Sequence, residues 1–141
     1  VALSDLKRLL VAFKMDIKFE HPKDFSDLYT YCHYSANPIG EMMLKLFDEA
    51  TDEKVKLSDD VCTALQLVNF WQDISRDKIN SRYYIPEELL QKFGLEYDTL
   101  LENKVRLQVL LDQLYQETEK LFENCVIKKT IYKWRSLKVM L

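Results

Sequence analysis

The sequence predicts an all-α fold, and three observations support this prediction. The 141 residues include only 2 Gly and 3 Pro, so few positions interrupt a helix. Apolar residues make up 48% of the chain and charged residues 30%, a balance that supports a packed core. Apolar side chains recur three and four positions apart in most segments, which is the periodicity of amphipathic helices.

The composition also argues against several classes of protein. A net charge of −3 gives no reason to expect nucleic acid as a partner. Cys32, Cys62 and Cys125 lack a CxxC spacing, which argues against a disulfide framework and against a zinc site. We therefore expect three reduced thiols. The chain contains no run of about 18 apolar residues, so no transmembrane helix is predicted.

The apolar periodicity divides the chain into six predicted helices. They are expected over residues 3–19, 24–37, 41–50, 58–77, 86–93 and from about residue 98 onward. Pro38 and Gly40 should separate the second helix from the third. Ser58 is expected to cap the fourth helix after a polar connection at 51–56, and Gly94 to end the fifth.

Four polar residues form a stripe on the fourth predicted helix: Gln66, Asn69, Asp73 and Asp77. Their spacings of three, four and four place them along one helix face. Residues 61–71 carry no charge, so this helix should be buried on most sides. Because unpaired buried carboxylates are costly, the stripe should face a metal, a partner or a wet cavity. Mg2+ suits two carboxylates of this kind, although aspartates four apart on a helix are often merely solvated.

Two arginines near the stripe have alternative interpretations. Arg82, in a predicted loop at 79–85, is either a surface ion-pair partner or a fork that grips a phosphate oxygen. Arg76 can pair with Asp73, three residues before it.

A tyrosine-rich segment precedes the predicted helix break at Pro38. Tyr29, Tyr31 and Tyr34 are either aromatic core or side chains that stabilise a cation and handle a proton. In the second interpretation, small residues such as Gly40 would leave room for a substrate chain at the break.

These two segments resemble the squalene/phytoene synthase family, in particular its bacterial hopanoid-pathway (hydroxysqualene synthase) branch. Residues 31–40 read YCHYSANPIG, which is similar to the family's tyrosine-containing helix break. Residues 64–94 read ALQLVNFWQDISRDKINSRYYIPEELLQKFG, which is similar to its second aspartate-rich motif and the following loop. The resemblance implies a partial isoprenoid-synthase domain over 1–126, followed by a basic tail at 127–141 that does not resemble the family.

The resemblance implies a fold and a chemistry. The fold would be the isoprenoid-synthase type of helical bundle around a central cavity, with only part of it present. The substrate would be farnesyl diphosphate or presqualene diphosphate, in C30 (squalene or hopanoid) biosynthesis. Mg2+ would assist loss of diphosphate, and carbocation chemistry would follow. The alternatives are a non-catalytic relative that acts as a binding or assembly protein, and an unrelated helical interaction module.

The resemblance also implies roles for individual residues. Asp73 and Asp77 would be catalytic and would bind the metal together with Asn69. Tyr31 would be the catalytic tyrosine. The expected substrate-binding residues are Gln66, Asn69, Arg82, Tyr83 and Tyr34.

The chain departs from the family pattern in two ways that bear on whether it is a fragment. The family has a first aspartate-rich motif on an opposing helix, and we expect no DxxxD pair before residue 69. Ser81 stands where the family usually has glycine. We therefore expect a fragment of a longer enzyme, with an exposed apolar face that favours homo-oligomers. A cytoplasmic location is expected, with peripheral association at the inner membrane face for an apolar product.

Overall fold

The computed structural model describes residues 3–77 and 82–123, which contain seven helices and no strand. They are α1 (Leu3–Ile17), α2 (Phe25–Ser35), α3 (Asn37–Leu46), α4 (Asp52–Gln72), α5 (Ile74–Asp77), α6 (Glu87–Phe93) and α7 (Lys104–Glu123). The all-α prediction is confirmed. Helix α4 is central, because α2, α3 and α7 all pack against it. None of the described helices is long and apolar enough to cross a membrane.

Helix α4 begins earlier than the sequence analysis predicts. The side chain of Thr51 caps it by accepting a hydrogen bond from the Lys54 backbone N–H at 3.3 Å. Two acidic residues follow in the first turn, where the helix dipole favours negative charge. The predicted polar connection at 51–56 and the predicted cap at Ser58 are therefore wrong, since Ser58 lies inside α4.

The break between α2 and α3 lies where it is predicted, with Pro38 in the first turn of α3. The predicted third helix at 41–50 is nevertheless displaced, because α3 begins at Asn37. Asn37 is buried and its Oδ1 accepts a hydrogen bond from the Thr63 hydroxyl on α4 at 3.0 Å. This buried bond holds the break against the central helix.

Gly40 allows α3 to approach α4 closely. A Cβ atom at this position would lie 2.2 Å from Ser58 Oγ and 2.6 Å from Cys62 Sγ. The space beside Gly40 is thus occupied by α4, and the expectation that it accommodates a substrate chain is wrong.

We expect Gly40→Ala to destabilise the protein by about 1–3 kcal/mol through overpacking, despite the better helix propensity of alanine. Chemical denaturation measures this loss. Adding Ser58→Ala, which removes the nearest atom, should restore part of it. A Gly40→Ala protein as stable as the wild type would contradict the close approach.

Two ion pairs connect α1 to α3. Asp5 is 2% exposed, and both of its carboxylate oxygens accept hydrogen bonds from Lys45 Nζ, at 2.7 and 2.9 Å. Arg8 pairs with Glu41 at 2.5 Å. Desolvation offsets much of the attraction in such pairs, so their main effect is to orient α1.

Asp59 of α4 lies beside the Glu41 carboxylate. Burial first, and then the charge of Glu41, raises the pKa of Asp59 to about 6. The folded protein therefore holds this proton more strongly than the unfolded chain. Ionisation of Asp59 lowers the free energy of unfolding as the pH rises through about 6. This loss is absent below pH 3.8.

We expect Asp59→Asn to raise the free energy of unfolding at neutral pH by about 1 kcal/mol, a figure reduced for solvent screening. Below pH 3.8, Asp59 of the wild type is protonated in both the folded and the unfolded protein, so the variant should no longer be more stable than the wild type. Thermal unfolding at both pH values tests this. The exposed Asp98→Asn serves as the control, and an equal gain at both pH values would contradict the titration of Asp59.

An apolar surface of α1 and α3 is exposed among the described residues. Its members on α1 recur three and four positions apart: Leu3, Leu6, Leu10, Phe13 and Ile17. Exposed apolar residues of α3 accompany them: Ile39, Met43, Leu46 and Phe47. The expected exposed apolar face is thus present. Homo-oligomerisation through it stays a prediction.

The remaining helix ends agree with the predictions in part. Gly94 ends α6 in the left-handed conformation, as expected. The last helix begins at Lys104 instead of about residue 98, since residues 97–102 form turns. Cys32 and Cys62 are free thiols, and burial raises the pKa of Cys32 to about 12. Ser81, Cys125 and the basic tail at 127–141 lie outside the described residues.

Candidate active site

The polar stripe crosses a break between two helices. The prediction of one helix to residue 77 is wrong, because α4 ends at Gln72 and α5 begins at Ile74. The Asp73 backbone N–H nevertheless donates to the Asn69 carbonyl at 2.9 Å, and the Asp77 N–H donates to the Asp73 carbonyl at 2.8 Å. These bonds keep the four-residue register across the break, so the three side chains stay on one side of the chain.

The two carboxylates of the stripe differ in their surroundings. Asp73 is 47% exposed and lies 3.5 Å from Arg76, the pairing foreseen from the sequence. Burial, and then the nearby charge of Asp73, raises the pKa of Asp77, while Arg82 opposes that rise. A bound cation would relieve the repulsion between the two aspartates.

The donor set of the stripe fits Mg2+ more closely than a transition metal. Within residues 3–77 and 82–123, no group of three or more His, Cys, Asp or Glu could hold a metal ion. Two carboxylates and the exposed amide of Asn69 remain, with half-buried Gln66 one turn before them. Mg2+ is commonly held by one or two carboxylates and completes its shell with water and substrate phosphates.

The segment 82–86 presents alternate side chains to opposite sides. Tyr83 and Ile85 are buried, and the Tyr97 hydroxyl donates to the Ile85 carbonyl at 2.7 Å. The Tyr83 ring stacks on Tyr97, with 5.4 Å between centroids. Tyr83, expected to bind substrate, thus lies in the core. Tyr84, which the sequence analysis did not select, projects the other way because side chains of an extended chain alternate.

Tyr84 belongs to an aromatic cluster, which consists of Tyr31, Phe70 and Tyr84. Tyr84 stacks on Phe70 with 3.9 Å between centroids and an interplanar angle of 4°. Tyr31 packs against both rings, at 5.5 Å from Tyr84 and 5.8 Å from Phe70. Phe70 lies four residues after Gln66 and three before Asp73, and residues at these spacings are neighbours on a helix surface, so the cluster adjoins the carboxylate stripe.

The electrostatics of Tyr84 connect the cluster to the stripe. Burial raises the pKa of Tyr84, the charges of Asp16 and Asp77 raise it further, and Arg82 opposes them. The phenol therefore lies within electrostatic range of α1 on one side and of the stripe on the other.

Tyr31 is held by a carboxylate that the sequence analysis did not select. Its hydroxyl donates to Asp16 Oδ1 of α1 at 2.9 Å. Burial, then the neighbouring Tyr84 and Asp16, raises the pKa of Tyr31 well above its ordinary value, so the phenol stays protonated. No sequence pattern marks this pair, because 15 residues and a turn separate its members. Tyr34 packs elsewhere, edge-on against His33.

Comparison with known proteins identifies the family. A family model for squalene/phytoene synthase matches residues 1–129. The chain belongs to this family. It is 35% identical over 103 residues to a hydroxysqualene synthase of Sinorhizobium fredii, a match that covers 72% of this chain and 35% of that relative. A hydroxysqualene synthase of Rhodopseudomonas palustris is 36% identical over 93 residues, or 65% of this chain and 32% of the relative.

Solved structures of squalene/phytoene synthases share the fold. A squalene synthase, HpnC, from Alicyclobacillus acidocaldarius superposes with a TM-score of 0.67 and 30% identity, over 89% of this chain and 51% of that one. A dehydrosqualene synthase solved with a ligand gives a TM-score of 0.76 and 27% identity, over 86% and 44%. The chain spans about a third of the length of its curated relatives and about half of these structures.

The expectation that no DxxxD pair precedes residue 69 is wrong, because residues 48–52 read DEATD. Asp48 and Asp52 are four residues apart, but Asp48 lies in the turn after α3 with φ 56° and Asp52 begins α4. Because a turn separates them, they do not share a helix face. They therefore do not reproduce the arrangement of Asp73 and Asp77.

Proposed function

We propose that this chain forms the diphosphate-binding wall of a squalene/phytoene-synthase-type active site. Its substrate would be farnesyl diphosphate or presqualene diphosphate, on the route to a C30 isoprenoid. The observation that supports the proposal is the position of Phe70 one helical turn from both Gln66 and Asp73, which brings the aromatic cluster next to the carboxylate stripe. An anionic leaving group and a cationic hydrocarbon require two such surfaces side by side.

The stripe is suited to the diphosphate end of the substrate. Asp73 and Asp77, with the Asn69 amide oxygen, would hold Mg2+. The bound ion would supply the positive charge that stabilises departing diphosphate. Arg82, which is exposed and opposes the burial-induced rise in the pKa of Asp77, would bind a phosphate oxygen beside it.

The aromatic cluster is suited to the hydrocarbon end. The faces of Phe70, Tyr31 and Tyr84 carry negative quadrupole charge that attracts a carbocation. Phe70 is 6% exposed, so this part of the site excludes most water. Exclusion of water protects a carbocation from premature capture.

The proposal extends to the setting of the protein. A C30 product is apolar, which favours a cytoplasmic protein that associates peripherally with the inner membrane face. The exposed apolar surface of α1 and α3 supports self-association or coverage by further helices.

Incubation of the full chain with farnesyl diphosphate tests the proposed function. We expect Mg2+-dependent release of inorganic diphosphate and a C30 product in the organic extract. A parallel thermal-shift experiment uses Mg2+ with a non-hydrolysable farnesyl diphosphate analogue. Binding of the analogue without release of diphosphate would favour a non-catalytic relative. The absence of both analogue binding and diphosphate release would contradict the proposal altogether.

A further inference from the structure

Asp16 stands apart from the carboxylate stripe yet contacts the aromatic cluster. It lies near the end of α1, and Tyr31 lies near the middle of α2. Its Oδ1 accepts the Tyr31 hydroxyl hydrogen at 2.9 Å, in a half-buried setting. The proposed metal site uses Asp73 and Asp77, and it gives Asp16 no role.

Tyr31 contacts both a carboxylate and an aromatic surface. Its hydroxyl donates to Asp16, and its ring packs against the rings of Phe70 and Tyr84. Besides burial, the charge of Asp16 also raises the pKa of Tyr84. A reactive carbon bound at this cluster would be next to the Tyr31 side chain, whose hydroxyl contacts the Asp16 carboxylate.

A neutral phenol by itself is a weak base. It accepts a proton readily only if its own proton leaves at the same time, and a hydrogen-bonded carboxylate provides the acceptor. The geometry of Tyr31 and Asp16 meets this requirement.

We propose that Asp16 is the terminal acceptor of the proton lost when the substrate carbocation is neutralised, with Tyr31 as the relay. This inference rests on the proposed function. A C–H bond on the carbon next to the cationic centre breaks, and its electron pair forms a carbon–carbon double bond that neutralises the cation. The proton passes to the Tyr31 oxygen while the Tyr31 hydroxyl proton passes to the Asp16 carboxylate. One positive and one negative charge are lost, and the neutral product leaves Asp16 protonated.

The full chain carrying Asp16→Asn separates a relay from a positioning role. Asparagine has the same shape, and its side-chain oxygen still accepts the Tyr31 hydrogen bond, but it cannot take up the proton. We expect kcat to fall about 10²-fold or more with KM changed by less than about twofold. Asp16→Glu should recover part of the loss. The exposed Asp98→Asn is the matched control and should retain wild-type turnover.

A double variant tests whether the two residues act as one unit. Tyr31→Phe alone should lower kcat about as much as Asp16→Asn, and the double variant should be no slower than either. Losses that multiply would overturn the relay. Near wild-type turnover of Asp16→Asn would also overturn it and assign the proton to another base, such as the departing diphosphate.

A measurement without turnover distinguishes failure of this inference from failure of the proposed function. The Tyr31 hydroxyl proton should give a downfield NMR signal that Tyr31→Phe removes and Asp16→Asn shifts. A wild-type chain that shows this signal but releases no diphosphate would contradict the proposed function, and with it the relay. A signal unchanged in Asp16→Asn would overturn the pairing itself.

Discussion

Asp73→Asn and Asp77→Asn are each expected to lower Mg2+-dependent kcat by at least about 10²-fold. Each substitution removes one of the two negative charges that would hold the ion, while the shape of the side chain is kept. Burial and the proximity of Asp73 already raise the pKa of Asp77, which indicates that the pair is held together against its own repulsion. Initial rates of diphosphate release over a range of Mg2+ concentrations measure the effect.

Stability gives an independent check on the same substitutions. In the absence of Mg2+, either variant should be at least as stable as the wild type, because a like-charge repulsion is removed. The thermal shift produced by Mg2+ with the substrate analogue should disappear. The exposed Asp98→Asn should keep both activity and shift. Wild-type kcat in both stripe variants would contradict the assignment of the metal site.

Trp71→Ala is expected to lower the free energy of unfolding by about 3–5 kcal/mol. Trp71 is 1% exposed and joins α4 to α7. Its indole N–H donates to Thr118 Oγ1 at 2.9 Å, and the Thr118 hydroxyl donates in turn to the Leu114 carbonyl at 2.8 Å. Truncation leaves a cavity between the central helix and α7. Urea denaturation followed by circular dichroism measures the loss.

Two matched variants divide that loss into packing and hydrogen bonding. Trp71→Phe keeps most of the apolar area but removes the indole donor, so a smaller loss of about 1–3 kcal/mol is expected. Thr118→Val removes the acceptor with little change in volume and should cost a similar amount. A Trp71→Ala protein within about 1 kcal/mol of the wild type would show that α7 is not anchored through this residue.

The predicted spacing of the carboxylate stripe agrees with the structure, because neighbouring positions along the chain carry this information. The register of Asn69, Asp73 and Asp77 could be derived from their spacing, because helical hydrogen bonds connect residues four apart. Which of Tyr83 and Tyr84 faces the aromatic cluster could not be derived from the sequence. It depends on which side of an extended segment faces the core, and burial of Ile85 and the Tyr97 hydrogen bond determine that.

In the fold, too, some features follow from nearby residues and others depend on packing between distant segments. The helix break at Pro38 and the helix end at Gly94 follow from backbone geometry, and both are observed. The predicted start of α4 is wrong because Ser58 and Thr51 are both good caps, and four of the six residues between them are charged. In α7, Val105 is apolar but 76% exposed, since the residues of α7 alone do not show which neighbours pack against them.

The amino-acid sequence by itself determined the helical class, the carboxylate stripe and the membership suggested by its two motifs, because each depends on residues close together in the chain. The tertiary structure alone placed Asp16 on Tyr31 and Tyr84 on Phe70. These contacts join α1 to α2 and the segment 82–86 to α4. These contacts form because of how the helices pack and which side chains lie outside the core. The local periodicity of the sequence does not determine either.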